Sequence, residues 1–298
     1  MIFVLKRFKS NTYKLSINDV FQLSKIRLTT SVVFSAIAGY FIAGGIFQSF
    51  DFIALIFGGF LVVASSNGFN QVMEKDLDKL MKRTEDRPLP KQRITTNQAL
   101  ILSLVMGLVG VFFLFSINFY SGLFGSLSVL LYVLAYTPLK RISSFSVFVG
   151  AFPGAIPFML GWVAVTNAFA IEAGILFAIQ FIWQFPHFWA IAWVSDEDYT
   201  KAGFKMLPGE KGKATAFKTL IYTLFLIPLS ILPIFGFAGE LELSLLACLL
   251  AVILGLWFFT KSVMLFKTLS DQDAKKLMFA SFIYLPLLQL IYVIDKLL

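Results

Sequence analysis

Oxygen-bearing side chains recur at every fourth position at the start of the segment NQVMEKDLDKLMKRTEDRPLP, residues 70–90. On a continuous helix, Asn70, Glu74 and Asp78 form a stripe along one face, because positions four apart lie one above the other. Two carboxylates and an amide oxygen suit Mg2+, whose coordination shell is commonly completed by water and substrate phosphate oxygens. The same spacing fits a solvated helix end in which acidic and basic residues simply pair. The stripe is therefore a hypothesis for a metal and diphosphate site.

Basic side chains follow this stripe along the chain. Arg83 and Arg87 lie in KRTEDRPLP, and Lys140 and Arg141 end the segment YTPLKR. Arginine binds a diphosphate as a bidentate fork, and lysine binds it as a compact point charge. Ordinary basic loops of a membrane protein contain the same residues. Both interpretations therefore remain open for these four.

A second group of polar residues surrounds the single histidine. His187 lies among aromatic residues in WQFPHFWAIAWVSDEDYTKAG, residues 183–203, and is followed by Asp196, Glu197 and Asp198. A lone histidine in such surroundings is commonly a hydrogen-bonded packing residue. An ionisable ring in a membrane helix is nevertheless a functional candidate, because polar groups are costly to keep there.

The elements that must position these residues are membrane-spanning helices. Of the 298 residues, 58% are hydrophobic and 14% are charged, whereas soluble globular proteins contain about 25% charged residues. A helix needs about 20 mainly apolar residues to cross the hydrocarbon layer. Nine such runs are predicted, at residues 29–47, 52–73, 98–116, 121–137, 146–166, 170–194, 219–236, 242–260 and 277–294. The sequence thus predicts an all-α, polytopic integral membrane protein with one domain over residues 1–298.

The basic residues predict the orientation of these spans. Of the 25 Lys and Arg residues, all except Lys296 fall on one side of the predicted bundle. By the positive-inside rule, the amino terminus is expected in the cytoplasm and the carboxyl terminus outside. The net charge of +8 then reflects anionic lipid headgroups and anionic substrates on the basic side. A soluble, basic nucleic-acid-binding protein is excluded.

Other sequence features indicate neither disulfide chemistry nor a cleaved targeting segment. Cys248 is the only cysteine and is interpreted as a packing residue. Residues 1–31 lack both the apolar core of a signal peptide and the Arg-rich, acid-poor pattern of a transit peptide. We therefore expect a multi-pass protein of the bacterial inner (plasma) membrane.

Together these segments resemble the protohaem IX farnesyltransferase (haem O synthase) family, within the superfamily of UbiA-type intramembrane prenyltransferases. Residues 70–90 are similar to the family's first acidic motif, Asn-x-x-x-Asp-x-x-x-Asp followed by Met-x-Arg-Thr-x-x-Arg-Pro. Its positions are occupied by Asn70, Glu74, Asp78, Met81, Arg83, Thr84, Arg87 and Pro88. YTPLKR resembles the family's loop after the fourth helix, and GAFPGAIPFMLGWVA its fifth helix. The segments WQFPHF and DYTKAGFKMLP are the ones that point to haem.

The resemblance implies a helical bundle around a central cavity that opens to the cytoplasmic side. It implies transfer of farnesyl from farnesyl diphosphate to a vinyl group of haem B with addition of water, giving haem O for haem-copper terminal oxidases. Mg2+ is the implied cofactor, and haem A synthase or oxidase assembly proteins are the implied protein partners.

The resemblance also assigns roles to residues. The implied sets are Asn70, Glu74 and Asp78 for Mg2+, Arg83, Arg87, Lys140, Arg141, Asn67 and Tyr136 for substrate, and His187 and Asp198 with the metal residues for catalysis. For His187, two roles remain open: a base that orients water, and an axial ligand of the haem iron.

Two departures from the family pattern affect the metal site. Glu74 stands where Asp is commonest, which keeps the carboxylate on a longer arm. The superfamily's second motif has two Asp residues spaced by four, whereas Asp198 here is preceded at that spacing by Val194. A second, equally well-built Mg2+ site is therefore not expected, although Asp196 and Glu197 are possible substitutes.

Three other classes of protein fit the sequence less well. A prenyltransferase acting on an aromatic quinone precursor, such as a hydroxybenzoate or naphthoate, would use the same metal motif but has no need of WQFPHF. A transporter would place charged residues near mid-membrane in broken helices, whereas the charges here collect on one side. A haem-binding membrane module without catalysis would need no metal stripe.

Overall fold

The computed structural model describes residues 16–298, and every regular element in that range is helical. The helices are α1 (Ile17–Leu23), α2 (Ile26–Ile42), α3 (Phe50–Asp78), α4 (Thr96–Ile117), α5 (Phe119–Leu139), α6 (Ser146–Thr166), α7 (Ile171–Val194), α8 (Asp196–Lys201), α9 (Lys213–Ser230), α10 (Leu245–Thr268) and α11 (Asp271–Leu297). A short 3-10 helix, Leu232–Phe235, follows α9. The prediction of an all-α membrane protein is confirmed.

The predicted count of nine spans is not confirmed. Within residues 16–298, seven helices are long and apolar enough to cross a membrane, and α1 with α2 adds an eighth if this pair, bent by 56°, is one broken span. The run predicted at 219–236 lies in α9 and in the 3-10 helix after it. Its helix begins at Lys213 and carries Lys218 in its second turn, so its first turns are polar.

The helices form a bundle in which most neighbours in sequence are also neighbours in space. Helix α3 packs against α4, α6 against α2 and α7, and α9 against α7 and α10. Helix α11 closes the arrangement by packing against α10, α7 and α2. Large apolar side chains such as Phe112, Leu134 and Ile253 remain exposed on the outside, as expected where hydrocarbon replaces water.

Small residues allow α2 and α6 to approach backbone to backbone. A Cβ atom at Gly39 would collide with the carbonyl oxygen of Phe158, and one at Gly161 would collide with that of Ala36. Small residues have this role at many interfaces between membrane helices, where close packing replaces the hydrophobic effect as the driving force.

Helix α6 remains helical through two prolines. Pro153 and Pro157 cannot donate backbone hydrogen bonds, which weakens the helix around them. The amides of Gln184 and Gln180 on α7 donate to the carbonyl oxygens of Ala151 and Gly154, at 2.9 and 2.8 Å. Side chains of α7 thus donate hydrogen bonds to backbone oxygens of α6, in the stretch where the prolines interrupt the hydrogen bonding of that helix.

One end of the bundle brings together the loops at 79–95, 140–145 and 195–212, and we call it the basic end. The Lys205 amide donates to the Lys140 carbonyl oxygen at 2.7 Å, which ties the second loop to the third. Helix α3 ends here at Asp78. Helix α5 reaches the same end through a π-helical stretch, Leu131–Tyr136, a rare conformation that is frequent at functional sites.

Candidate active site

The oxygen-bearing stripe lies on the last three turns of α3, at the basic end. Asn70, Glu74 and Asp78 are buried, with 1%, 5% and 0% of their surfaces exposed. Asp76 points elsewhere, is exposed, and pairs with Lys79 at 2.8 Å. One face of this helix end is therefore solvated and carries paired charges, while the stripe faces the interior of the bundle.

Two ion pairs hold the carboxylates of the stripe. Lys140 Nζ lies 2.8 Å from Glu74 Oε1, and both groups are largely buried. Arg87 Nη1 donates to both oxygens of Asp78 at 2.8 Å. Charges at such depth are costly to bury unless they are paired, so each acid and base stabilises the other.

The environment of Lys140 keeps it charged. Burial, the largest single influence, would lower the pKa of this ammonium, but the adjacent Glu74 carboxylate together with Tyr132 and Tyr199 raises it, so the pKa lies above its ordinary value. The ammonium also lies 4.7 Å from the ring centre of Tyr136 and 5.6 Å from that of Phe204, in range for cation–π contact. A positive charge is therefore fixed beside Glu74 at neutral pH.

Lys25 joins this cluster, although the sequence analysis did not select it. It lies at the break between α1 and α2, in a left-handed backbone conformation with φ of 47°, and its Nζ lies 3.3 Å from Asn70 Oδ1. In sequence Lys25 is one of several basic residues before the first long span. Nothing in that pattern distinguishes it, because its role arises from a bend that composition does not reveal.

Hydrogen bonds determine which way the Asn70 amide faces. Thr137 donates its only hydroxyl hydrogen to the Tyr132 carbonyl oxygen at 2.8 Å, so towards Asn70 it can only accept. The atom of Asn70 that faces Thr137 at 3.4 Å is therefore the nitrogen. The amide oxygen consequently faces Lys25, on the side where the carboxylates follow along the helix.

Asp198 lies next to the loop that follows α3. Its two carboxylate oxygens accept hydrogen bonds from the backbone amides of Lys82 and Arg83, each at 3.3 Å. The guanidinium of Arg83 lies over the ring of Tyr199 at 5.9 Å. In the structure, Asp198 thus supports the loop that carries Arg83 and Arg87.

The stripe is the best-supported candidate metal centre. Across residues 16–298, no group of three or more His, Cys, Asp or Glu side chains is arranged to hold a metal ion. A centre on α3 therefore rests on two carboxylates together with the Asn70 amide oxygen, a donor set that suits Mg2+. Asp196 and Glu197, the possible second-site ligands, lie in the first turn of α8.

Two cavities open at the basic end and share the wall formed by Ile142 and Phe204. One, of about 540 Å³, is lined by Glu74, Thr137 and Arg141 among others. The other, of about 610 Å³, is lined mainly by residues of the loops at 142–144 and 196–211. Glu74 therefore borders an open volume, and Arg141 borders the same one.

Asn67 and His187 have other surroundings. The Asn67 amide donates to the Ser24 carbonyl oxygen and to Thr29 Oγ1, at 3.4 and 3.3 Å, which braces the break between α1 and α2. The imidazole of His187 contacts Ser281 Oγ at 2.8 Å. Neither side chain forms a hydrogen bond with Asn70, Glu74 or Asp78.

The helical position of His187 explains this separation. Phe185 and Trp189 pack in the same apolar cluster as Met81 and Tyr136, beside the carboxylates. A residue two positions away on a helix is rotated by about 200°. His187 therefore faces α11 from the opposite side of α7.

Comparison with known proteins places this geometry in a family. The model of the UbiA prenyltransferase family matches residues 32–285. The chain belongs to that family. A UbiA prenyltransferase relative from Flavobacterium psychrophilum, named Protoheme IX farnesyltransferase, is 48% identical over 283 residues, which cover 94% of each chain.

Solved structures of UbiA family members share the fold. The structure described for a digeranylgeranylglyceryl phosphate synthase has a TM-score of 0.78 at 20% identity, covering 94% of this chain and 98% of that one. A UbiA homologue from Archaeoglobus fulgidus, bound to GPP and Mg2+, has a TM-score of 0.66 at 14% identity, covering 92% and 99%. At these identities the likeness concerns the fold alone.

Proposed function

We propose that this protein transfers the farnesyl group of farnesyl diphosphate to a vinyl group of haem B, with addition of water, to give haem O. The observation that carries the proposal is the buried stripe of Asn70, Glu74 and Asp78 with its paired cations. Its chemistry fits a metal-bound diphosphate. The choice of haem rests on the near full-length similarity to a protein named Protoheme IX farnesyltransferase.

Asn70, Glu74 and Asp78 are the proposed ligands of Mg2+. The donor set fits because all three oxygens are hard ligands on one buried face, and because hydrogen bonds orient the oxygen of Asn70. When bound, Mg2+ would neutralise negative charge on the diphosphate. The description of a UbiA homologue of the same fold as bound to GPP and Mg2+ supports the use of Mg2+.

The cations of the site are proposed to stabilise the leaving group. The bond between the first farnesyl carbon and the diphosphate oxygen breaks, and the electron pair leaves with the diphosphate. Lys140 and Arg87 lie on the stripe and supply preorganised positive charge there. Lys25 adds a hydrogen-bond donor beside Asn70. Arg141 borders the same cavity as Glu74, and Arg83, whose guanidinium lies over the Tyr199 ring, is proposed to join them from the loop after α3.

Carbon–carbon bond formation follows in the proposed reaction. The π electrons of the vinyl group attack the allylic cation, and the charge moves to the vinyl carbon next to the porphyrin. Water adds to that carbon and loses one proton. Tyr132 and Tyr136, whose ring centres lie 5.1 Å apart, are proposed to stabilise the first cation with their electron-rich rings.

We assign His187 to the haem rather than to the diphosphate. Its ring lies on the side of α7 that faces away from the cluster containing Tyr136. Loss of this side chain should therefore reduce haem binding or turnover while the affinity for farnesyl diphosphate stays unchanged.

The proposed setting is a bacterial plasma membrane, with the basic end in the cytoplasm and one domain over residues 1–298. The asymmetry of Lys and Arg supports this orientation. Haem A synthase and oxidase assembly proteins are the proposed protein partners, since they would receive haem O.

The test is incubation of the purified protein with haem B, farnesyl diphosphate and Mg2+, with and without a chelator, followed by mass analysis of the extracted porphyrin. A chelator-sensitive gain of farnesyl plus water is expected. Glu74→Gln should lose this product, whereas Asp76→Asn, on the exposed face of the same helix, should retain it. An unchanged porphyrin, with farnesyl diphosphate consumed only when an aromatic acid is supplied, would instead establish a quinone-precursor prenyltransferase.

A further inference from the structure

The surroundings of His187 contain a second hydrogen-bonded system that the farnesyl-transfer site does not use. His187 Nδ1 lies 2.8 Å from Ser281 Oγ, which connects α7 with α11. Ser281 Oγ in turn lies 2.6 Å from the Met278 carbonyl oxygen. Both side chains are buried.

This chain of hydrogen bonds selects one tautomer of the imidazole. A serine hydroxyl has a single hydrogen, and Ser281 donates it to the Met278 carbonyl oxygen, which can only accept. Towards His187 the hydroxyl is therefore the acceptor, and Nδ1 must carry the proton. In the neutral ring, Nε2 then holds the free lone pair.

Trp183 fixes the orientation of the same ring. Its indole stacks on the imidazole, with ring centres 4.4 Å apart and planes inclined by 22°. Its Nε1 donates to the Ser281 backbone carbonyl oxygen at 3.0 Å. Trp183 thus holds both the imidazole and the serine that accepts its hydrogen bond.

The second imidazole nitrogen has no partner among the described residues. Within residues 16–298, Nε2 of His187 makes no hydrogen bond, and the atom is not fully enclosed. His187 as a whole is 9% exposed. The direction of the Nε2 lone pair is already fixed, so a ligand on this side of the ring meets a preoriented donor atom.

We propose that Ser281 is a positioning residue that holds His187 in its Nδ1–H tautomer, so that Nε2 binds the iron of haem. The inference rests on the proposed function for the identity of the ligand. Histidine ligands of metals generally donate their other ring nitrogen to an oxygen acceptor, which fixes the tautomer and raises the basicity of the ligand. Ser281 Oγ is that acceptor here.

The experiment measures haem binding in purified protein without farnesyl diphosphate or Mg2+. The absorption and electron paramagnetic resonance spectra of bound ferric haem should show histidine ligation in the wild type. His187→Gly should lose that signature, and added imidazole should restore it. Ser281→Ala should weaken haem binding by about 10- to 100-fold and alter the ligand signature, whereas Ser281→Thr, which keeps a hydroxyl, should resemble the wild type.

A matched control separates positioning from packing. Ser262→Ala also removes a buried hydroxyl, which contacts Thr223 Oγ1 at 2.6 Å on another pair of helices, and it should leave the haem spectrum unchanged. Thermal unfolding of each variant checks that the fold is retained. If Ser281→Ala does not fold, the His187→Gly spectrum with and without imidazole decides whether Nε2 binds iron, and Ser281→Cys, a weaker acceptor, tests the positioning role.

The outcomes distinguish this inference from the proposed function. Wild-type spectra and haem affinity in Ser281→Ala and His187→Gly would overturn the inference, even if haem O is formed. Loss of turnover in His187→Gly with an unaltered iron spectrum would also overturn it, in favour of a base that orients water. His187-dependent iron ligation without farnesyl transfer would overturn the proposed function and leave the inference intact.

Discussion

At the scale of single residues, the role of each acidic side chain at the end of α3 depends on its ion-pair partner. Glu74 is buried against Lys140 and Asp78 against Arg87. Asp76, between them in sequence, is exposed and pairs only with Lys79. The same residue type therefore has different roles within one helical turn, because one face of α3 is packed and the other is solvated.

Replacement of Glu74 by Gln should abolish most of the activity. The side chain keeps its size, but it loses the charge that pairs with Lys140 and that is proposed to bind Mg2+. We expect kcat/KM to fall by about 10²- to 10³-fold, while Glu74→Asp retains measurable, Mg2+-dependent turnover. Asp76→Asn is the control, and equal losses in both variants would contradict the assignment. Farnesyl transfer measured across a Mg2+ titration provides the data.

Replacement of Lys25 by Gln should weaken binding of the prenyl diphosphate. The lysine donates a hydrogen bond to the Asn70 amide oxygen, and a charged contact from it to a bound diphosphate would be worth roughly 1.5–3 kcal/mol. We therefore expect an increase in KM or Kd for farnesyl diphosphate of about 10- to 100-fold. Lys79→Gln, which removes an exposed ammonium, should change neither value. An unchanged Kd in Lys25→Gln would show that Lys25 only supports the bend between α1 and α2.

At the scale of elements, the bundle depends on contacts that only small residues or precisely placed acceptors permit. Helices α2 and α6 pack across Gly39 and Gly161. The loop after α3 is held by Asp198, which follows α7 in a separate short helix. The second contact positions the loop that follows the end of α3.

The change Gly161→Ala should destabilise the protein. The added methyl group would meet the backbone of α2, which cannot yield as a side chain can, and overpacking of this kind costs about 1–3 kcal/mol. Gly174→Ala on α7 is the matched control, since a Cβ atom there meets no atom within 4 Å. Thermal unfolding in detergent should separate the two variants, and equal melting temperatures would argue against the close α2–α6 contact.

Removal of the Asp198 carboxylate should loosen the loop at 79–95. Asp198→Ala deprives the Lys82 and Arg83 amides of their acceptor, so local opening becomes easier. We expect trypsin to cleave after Lys82 or Arg83 several-fold faster, with Asp196→Ala as the control. Unchanged cleavage together with a weaker response to Mg2+ would instead assign Asp198 to a second metal site.

At the scale of the whole molecule, charge asymmetry and span number together determine the topology. Seven spans, or nine, place the amino and carboxyl termini of the chain on opposite sides of the membrane, whereas eight place them on the same side. Seven helices in the described chain qualify as spans individually, and the bent pair α1 and α2 accounts for the eighth. The concentration of Lys and Arg residues on one side of the predicted bundle favours an odd number of spans.

Cysteine labelling tests this orientation. In a Cys248→Ser background, Lys296→Cys should react with an impermeant maleimide added to intact cells, because the carboxyl-terminal end is expected outside. Lys79→Cys, at the exposed end of α3, should react only after the membrane is opened. Labelling of both positions from the same side would show an even number of spans between them and contradict the predicted orientation.

The sequence by itself determined the membrane class, most of the helices and the composition of the oxygen-bearing stripe. These features are local, because the length of an apolar run and a spacing of four residues are properties of one segment. The number of spans did not follow from the sequence, since α9 combines polar first turns with an apolar remainder and the segment before α2 bends.

Only the tertiary structure decided which distant residues meet. Lys25 reaches Asn70 across 45 positions, Ser281 reaches His187 across 94, and Asp198 reaches the Lys82 amide across 116. No local pattern encodes such pairs, because each depends on how helices pack and where a bend lies. For the same reason, the face of α7 that carries His187 could be told apart from the face that packs beside Tyr136 only after the neighbours of that helix were known.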